Sequence, residues 1–228
     1  QTVGPELERR IEMIINTGCP SMDIAREVLD SPEFDFNPLV KYGGVGSEID
    51  WKSGYIVVMQ HPVTTEFEKS KEHIKETLRA VDELGIPTFW FWPNVDAGSD
   101  GTSSGIRQYR EKSNPKNIHF FKNMEPQDFL RLIKNSRCLI GNSSVGIRES
   151  AFLGIPVVNI GSRQNGRQRA KSVIDCGYNQ EEIKNAIEKH IEHGHYDSEF
   201  IYGDGYAGQK IADTLATCEL KFHKTITY

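Results

Sequence analysis

The chain has 228 residues, enough for one large domain with a substantial core, and its 26% charged and 37% apolar residues are the balance of an ordinary globular protein. A formal net charge of -5 argues against a nucleic-acid footprint, which needs a basic surface, and no apolar run reaches membrane-spanning length. Four cysteines (Cys19, Cys138, Cys176, Cys218) stand far apart with no C-x-x-C spacing, which reads as reduced thiols of a cytoplasmic protein without zinc or disulfides. The opening QTVGPELERR lacks a signal-peptide layout, although a chain beginning inside a longer protein would look the same.

In chain order, IEMIINTG (11–18) predicts a short strand, followed by a helix entered through Pro20 and a capping Ser21. Residues 30–54, rich in Pro, Gly, Asp and Asn, predict a linker or surface excursion. The GGVG cluster within them reads as flexible chain rather than a phosphate loop, because no strand precedes it and no helix follows directly. The pattern then becomes regular. YIVVMQ (55–60) predicts a strand, and 66–85 an amphipathic helix with Ile74, Leu78 and Val81 on one stripe and Gly85 at its end. TFWFW (88–92), IHFF (118–121), RCLIG (137–141) and PVVNI (156–160) predict four more strands. Helices are expected over 104–112, over 126–136 with Pro126 in the first turn, over 145–154, over 179–194 with Asn179 and Glu182 spaced as a capping box, and over 207–218. No helix or strand is assigned to the rest of the tail. Alternating strands and helices imply β-α-β units, and nearly all-apolar strands imply a sheet covered on both faces. The fold class is therefore α/β, a Rossmann-like doubly wound parallel sheet.

Ligands of such sheets bind beyond the carboxyl ends of the strands, so the residues just after each strand carry the functional argument. His61 follows the first regular strand. It is either a loop histidine or an imidazole placed to bind phosphate or move a proton near neutral pH. Asn94 and Asp96 follow the second, in a stretch that also suits a plain turn. Asn142, Ser143 and Ser144 open the segment after RCLIG. A cap needs one serine, whereas two hydroxyls with exposed N–H groups suit an anion. Glu149, six residues after Ser143, is a surface glutamate or an acceptor for a ribose diol. Arg163 and Arg167, in a Gly-flanked loop after PVVNI, are solvated or hold a diphosphate by guanidinium forks. Each signal is weak alone. Their convergence on one sheet edge favours a phosphate- or nucleotide-bearing ligand. No G-x-G-x-x-G follows the first regular strand, and the P-loop and H-E-x-x-H patterns are absent, so dinucleotide, P-loop and zinc readings drop. His73, His190, His193 and His195 read as residues of charged, solvated helices and helix ends. His119 and His223 have no partner evident in the sequence, and YGDGYAG (202–208) reads as a turn or a cleft-facing loop.

HPVTT, PNVDAG, GNSSVGIRE, GIPVVNIGSRQNGR and IYGDGYAGQKI occur in the order found in the hydrolysing UDP-N-acetylglucosamine 2-epimerases, and INTGCPSMDIA resembles that family's interdomain region. The non-hydrolysing branch looks different at HPVTT and at GNSS. The resemblance implies one half of a GT-B architecture, with residues 1–54 a remnant of the amino-terminal domain plus linker and 55–228 the carboxyl-terminal nucleotide-binding domain. It implies His61 at the diphosphate as a catalytic residue. Asn94, Met124 (at the base, through backbone), Ser143, Ser144 (on phosphate), Glu149 (on ribose) and Arg163 are implied as substrate-binding residues. It further implies a UDP-sugar substrate, no metal or other cofactor, no nucleic-acid or membrane partner, and a homodimer or higher assembly at full length. Family carboxylates serving as acid and base belong mainly to the other half, so this portion alone is expected to bind nucleotide without turnover. The alternatives are the donor domain of a GT-B glycosyltransferase and a non-catalytic nucleotide-sugar sensor.

Overall fold

The computed structural model describes residues 14–33 and 35–218. The five expected strands are present: β2 (Ile56–Met59), β3 (Thr88–Phe91), β4 (Ile118–Phe121), β5 (Leu139–Gly141) and β6 (Val157–Ile160). Two short edge strands join them, β1 (Val45–Gly46) and β7 (Val173–Cys176), giving the order β1-β4-β3-β2-β5-β6-β7. β1 is antiparallel to β4, and every other pairing is parallel. The six parallel strands follow the Rossmann order, with the switch point between β2 and β5.

The apolar strands divide their side chains by the two-residue period. Val57, Phe89, Phe91, Phe121, Leu139 and Val157 enter one core. Ile56, Val58, Trp90, Ile118, Phe120, Ile140 and Val158 enter the other. Helices α1 (Ser21–Asp30), α5 (Pro126–Lys134) and α6 (Glu149–Leu153) cover the first face. Helices α3 (Ser70–Leu84), α4 (Ser99–Ser113) and α7 (Gln180–His193) cover the second, where Ile74, Leu78, Ile106, Ile183 and Ile187 are fully buried. Asn179 caps α7 by accepting the Glu182 N–H, as its spacing predicted. A last helix, α8 (Ala207–Thr217), starts against α1, where Asp23 accepts the N–H groups of Ala207 and Gly208.

Several expectations are corrected. Residues 14–18 form no strand, and residues 11–13 of that expected strand lie outside the described residues, as does His223. The segment 30–54 is more than a linker: it holds the short helix α2 (Pro38–Tyr42) and β1. Gly44 and Gly46 are required by the pairing, since a Cβ on Gly44 would lie 2.5 Å from the Phe120 carbonyl and one on Gly46 2.7 Å from that of Ile118. Met22, Ala25 and Val28 of α1 are buried in the first core. Helix α4 begins at Ser99, five residues earlier than the apolar pattern indicates. The helix expected over 145–154 is a 3₁₀ turn, Ser144–Gly146, followed by the five-residue α6. His190 is fully buried, its Nε2 3.0 Å from the Val157 carbonyl, and is no solvated helix end. His119 does have partners: its ring nitrogens lie 3.0 and 2.8 Å from the carbonyls of Ser47 and Gly43 and pin that strap to β4.

Candidate functional site

Strand β5 ends at Gly141, whose φ of +130° and missing side chain let the chain pass the end of β2. A Cβ there would lie 2.1 Å from the Met59 carbonyl. This close approach places Asn142 at the switch point, with 1% of its surface exposed. Its Oδ1 accepts the His61 N–H at 2.7 Å and its Nδ2 donates to the His61 carbonyl at 2.9 Å. Its own carbonyl accepts from Gln164 at 2.7 Å and Arg163 at 3.2 Å. One buried residue thus joins the loops after β2, β5 and β6, its side chain holding the first and its main-chain carbonyl the last.

His61 is buried beneath this junction. Its Nδ1 accepts the backbone N–H of Asn94 at 3.1 Å, which leaves the neutral-ring proton on Nε2. Burial, reinforced by the Arg163 guanidinium and opposed by Asp96, lowers its pKa from 6.5 to about 4. The ring is therefore neutral at pH 7, a single N–H donor held in one tautomer. Asn94 itself is exposed and serves His61 through its backbone.

Two clefts flank the Asn142–Val145 turn. The polar one, about 620 Å³, is lined by Pro62, Thr65, Ser144, Ser162, Arg163 and Arg167 among others. Arg163 is also 3.7 Å from Asp96. Sequence reasoning missed the brace that holds this loop: Glu66 accepts from the Ser162 hydroxyl at 2.5 Å and from Tyr178 at 3.0 Å, and the Ser162 bond leads the effects that hold its carboxyl below the usual range. The ring of His73 stacks on Tyr178 at 3.5 Å. Ser143 caps the 3₁₀ turn, facing the Val145 N–H at 3.5 Å. Because α6 has only five residues, its dipole is small, and an anion here would rely on hydroxyls, guanidinium groups and turn N–H groups.

The second cleft, about 270 Å³, is mostly apolar: Met59, Phe91, Met124, Phe129 and Val145 line it, with Ser21 and Glu149 at its polar points. Glu149 is only 6% exposed. One carboxylate oxygen accepts from Arg148 at 3.2 Å and the other has no protein partner. A buried acceptor left open beside an apolar slot suits a hydroxylated ring carrying a flat group. The expected residues are thus split between the clefts. Ser144 and Arg163 share the polar one and Met124 and Glu149 the apolar one, with Ser143 in the turn between them and His61 under the junction. Among the described residues, no group of three or more His, Cys, Asp or Glu could hold a metal ion, and no helix is long and apolar enough to cross a membrane.

A Rossmann-order sheet with a polar and an apolar cleft at its switch point defines the class: a doubly wound α/β domain whose clefts open at the carboxyl ends of its strands. Residues 7–216 match the model of the UDP-N-acetylglucosamine 2-epimerase family, and the chain belongs to that family. It is 28% identical over 189 residues to the UDP-N-acetylglucosamine 2-epimerase of Neisseria meningitidis, covering 82% of this chain and 47% of that protein. It is 34% identical over 136 residues to the hydrolysing GDP/UDP-N,N'-diacetylbacillosamine 2-epimerase of Campylobacter jejuni, covering 58% of this chain and 34% of that protein. The solved UDP-N-acetylglucosamine 2-epimerase of Neisseria meningitidis bound to UDP-GlcNAc superposes with a TM-score of 0.65 at 20% identity, covering 91% and 56% of the two chains. That of Methanocaldococcus jannaschii superposes at 0.66 with 17% identity, covering 92% and 58%. The chain spans about half the length of the curated relatives it matches.

Proposed function

We propose that the chain is the nucleotide-holding portion of a hydrolysing UDP-N-acetylglucosamine 2-epimerase, acting in the cytoplasm. The enzyme would release UDP and N-acetylmannosamine or a related 2-acetamido sugar for sialic or legionaminic acid synthesis. The observation that carries the reading is the pairing of clefts across the Asn142–Val145 turn: hydroxyls and guanidinium groups on one side, a buried open carboxylate beside an apolar slot on the other. In this assignment Ser143, Ser144 and Arg163 hold the diphosphate, Glu149 accepts from the ribose hydroxyls, and the slot at Met124 receives the base.

The reaction breaks the C1–O bond to the diphosphate while a base removes the C2 proton, leaving a glycal. Water then adds across C1 and C2, with the new C2 proton delivered to the opposite face. Negative charge grows on the departing diphosphate, where fixed donors act most strongly. The neutral His61 offers one such N–H from Nε2, with its other ring nitrogen occupied by Asn94. The C2 base and acid are assigned to carboxylates outside this portion, so the chain alone would bind UDP without turnover.

Two measurements test the proposal. Titration calorimetry of the chain with UDP should give saturable binding, and its absence would refute the nucleotide assignment. Mass spectrometry of products formed from UDP-N-acetylglucosamine by the protein at its relatives' full length should find UDP and free N-acetylmannosamine. A retained nucleotide sugar would refute hydrolysis.

A further inference from the structure

Neighbouring side chains on a helix point apart, so an ion pair between consecutive residues needs special geometry. Arg148 has it: the residue is the N-cap of α6, one step outside the helix that Glu149 begins, and its guanidinium turns back to the carboxylate at 3.2 Å. Its other arm reaches the Cys19 sulfur at 3.7 Å, and that thiol is 3.1 Å from the Ser21 hydroxyl at the start of α1. Arg148 therefore has one fixed contact behind the site and one on the carboxylate. The second Glu149 oxygen is buried without a protein partner, in a residue that lines the apolar cleft.

We infer that Arg148 is a positioning residue: clamped from behind by Cys19, it fixes one Glu149 oxygen so that the other stands ready to accept from the hydroxyls of a ribose-bearing ligand. This rests on the ribose assignment of Glu149 proposed above. A guanidinium fork suits the task because its two arms have a fixed mutual angle. An ammonium in its place would hold the carboxylate without the Cys19 clamp. An uncharged side chain would leave a buried carboxylate with neither oxygen paired and nothing to fix its orientation towards the cleft.

The test is calorimetry of the chain with UDP and with 2',3'-dideoxy-UDP. The wild type should prefer UDP by about 10-fold or more, the worth of hydrogen bonds to a charged acceptor. Arg148→Met should bind both ligands with about the affinity the wild type has for the dideoxy form, and Arg148→Lys should keep part of the preference. If Arg148→Met keeps the full preference, or loses the same factor for both ligands, Arg148 is a structural tether and the inference falls. Should Arg148→Met fail to fold by circular dichroism, Arg148→Lys decides, and an undiminished preference overturns the inference. A wild type that binds UDP without preferring it refutes the ribose assignment. One that binds neither refutes the nucleotide reading.

Discussion

Replacing Asn142 with alanine should be among the most damaging polar changes in the chain. Its side chain makes two buried hydrogen bonds to the backbone of His61, 81 residues away. Alanine leaves the His61 N–H and carbonyl unpaired in a site where Asn142 is 1% and His61 5% exposed. Each orphaned buried group costs about 1–3 kcal/mol, so the expected loss is about 2–6 kcal/mol. That is a large part of the roughly 5–15 kcal/mol that holds a domain together. Urea unfolding at pH 7 should show a lower midpoint with an unchanged slope, because the surface exposed on unfolding stays the same. Amide hydrogen exchange at His61 should accelerate, because its N–H loses the Asn142 acceptor. A loss below about 1 kcal/mol with His61 exchange unchanged would refute the idea that Asn142 clamps the switch point.

Three further outcomes are expected. The folded-state pKa of His61 is lowered by burial to about 4, so its contribution is complete above the unfolded value near 6.5 and is lost as pH falls through 4. It corresponds to about 3 kcal/mol, and urea titrations should show wild type losing that much more than His61→Gln between pH 7 and 4; equal losses would contradict the assignment. Ser143→Ala with Ser144→Ala should weaken UDP binding by about 10-fold or more while leaving uridine little changed, and unaltered UDP affinity in calorimetry would sink the phosphate assignment. Gly141→Ala must place a Cβ 2.1 Å from the Met59 carbonyl at a φ of +130°, so thermal unfolding should reveal a loss of about 2–5 kcal/mol, and a wild-type melting temperature would show that β5 can shift freely past β2.

The sheet centre was legible because its strands are buried on both faces, so apolar runs such as YIVVMQ and TFWFW stand out. The edges were not. Val45–Gly46 is only two residues long, exposed and half glycine, and the β7 stretch contains an exposed aspartate and half-buried apolar residues. The location of the site was legible for a topological reason, since residues after parallel strands share one edge. Its division into two clefts was not, because the division depends on the buried Asn142 clamp and on the short α6, neither of which leaves a periodic signal. The Glu66–Ser162 brace spans 96 residues and joins two loops whose sequences give no sign of each other. Asn94 illustrates a different gap: nothing in its turn-like sequence signals that its backbone N–H would donate to His61.

The strap formed by residues 43–47 also bears on how copies of this chain meet. A parallel sheet ending at β4 would present a row of unpaired backbone groups behind Phe120 and Phe121, a ready template for another molecule's strand. Here two residues of β1 occupy that row, His119 holds the strap down from the side, and Gly44 and Gly46 lie so close to β4 that any larger residue would lift it away. Loosening the strap, as a bulky residue at Gly44 or Gly46 would do, should therefore first reveal itself in self-association, with light scattering rising under conditions where the fold itself persists.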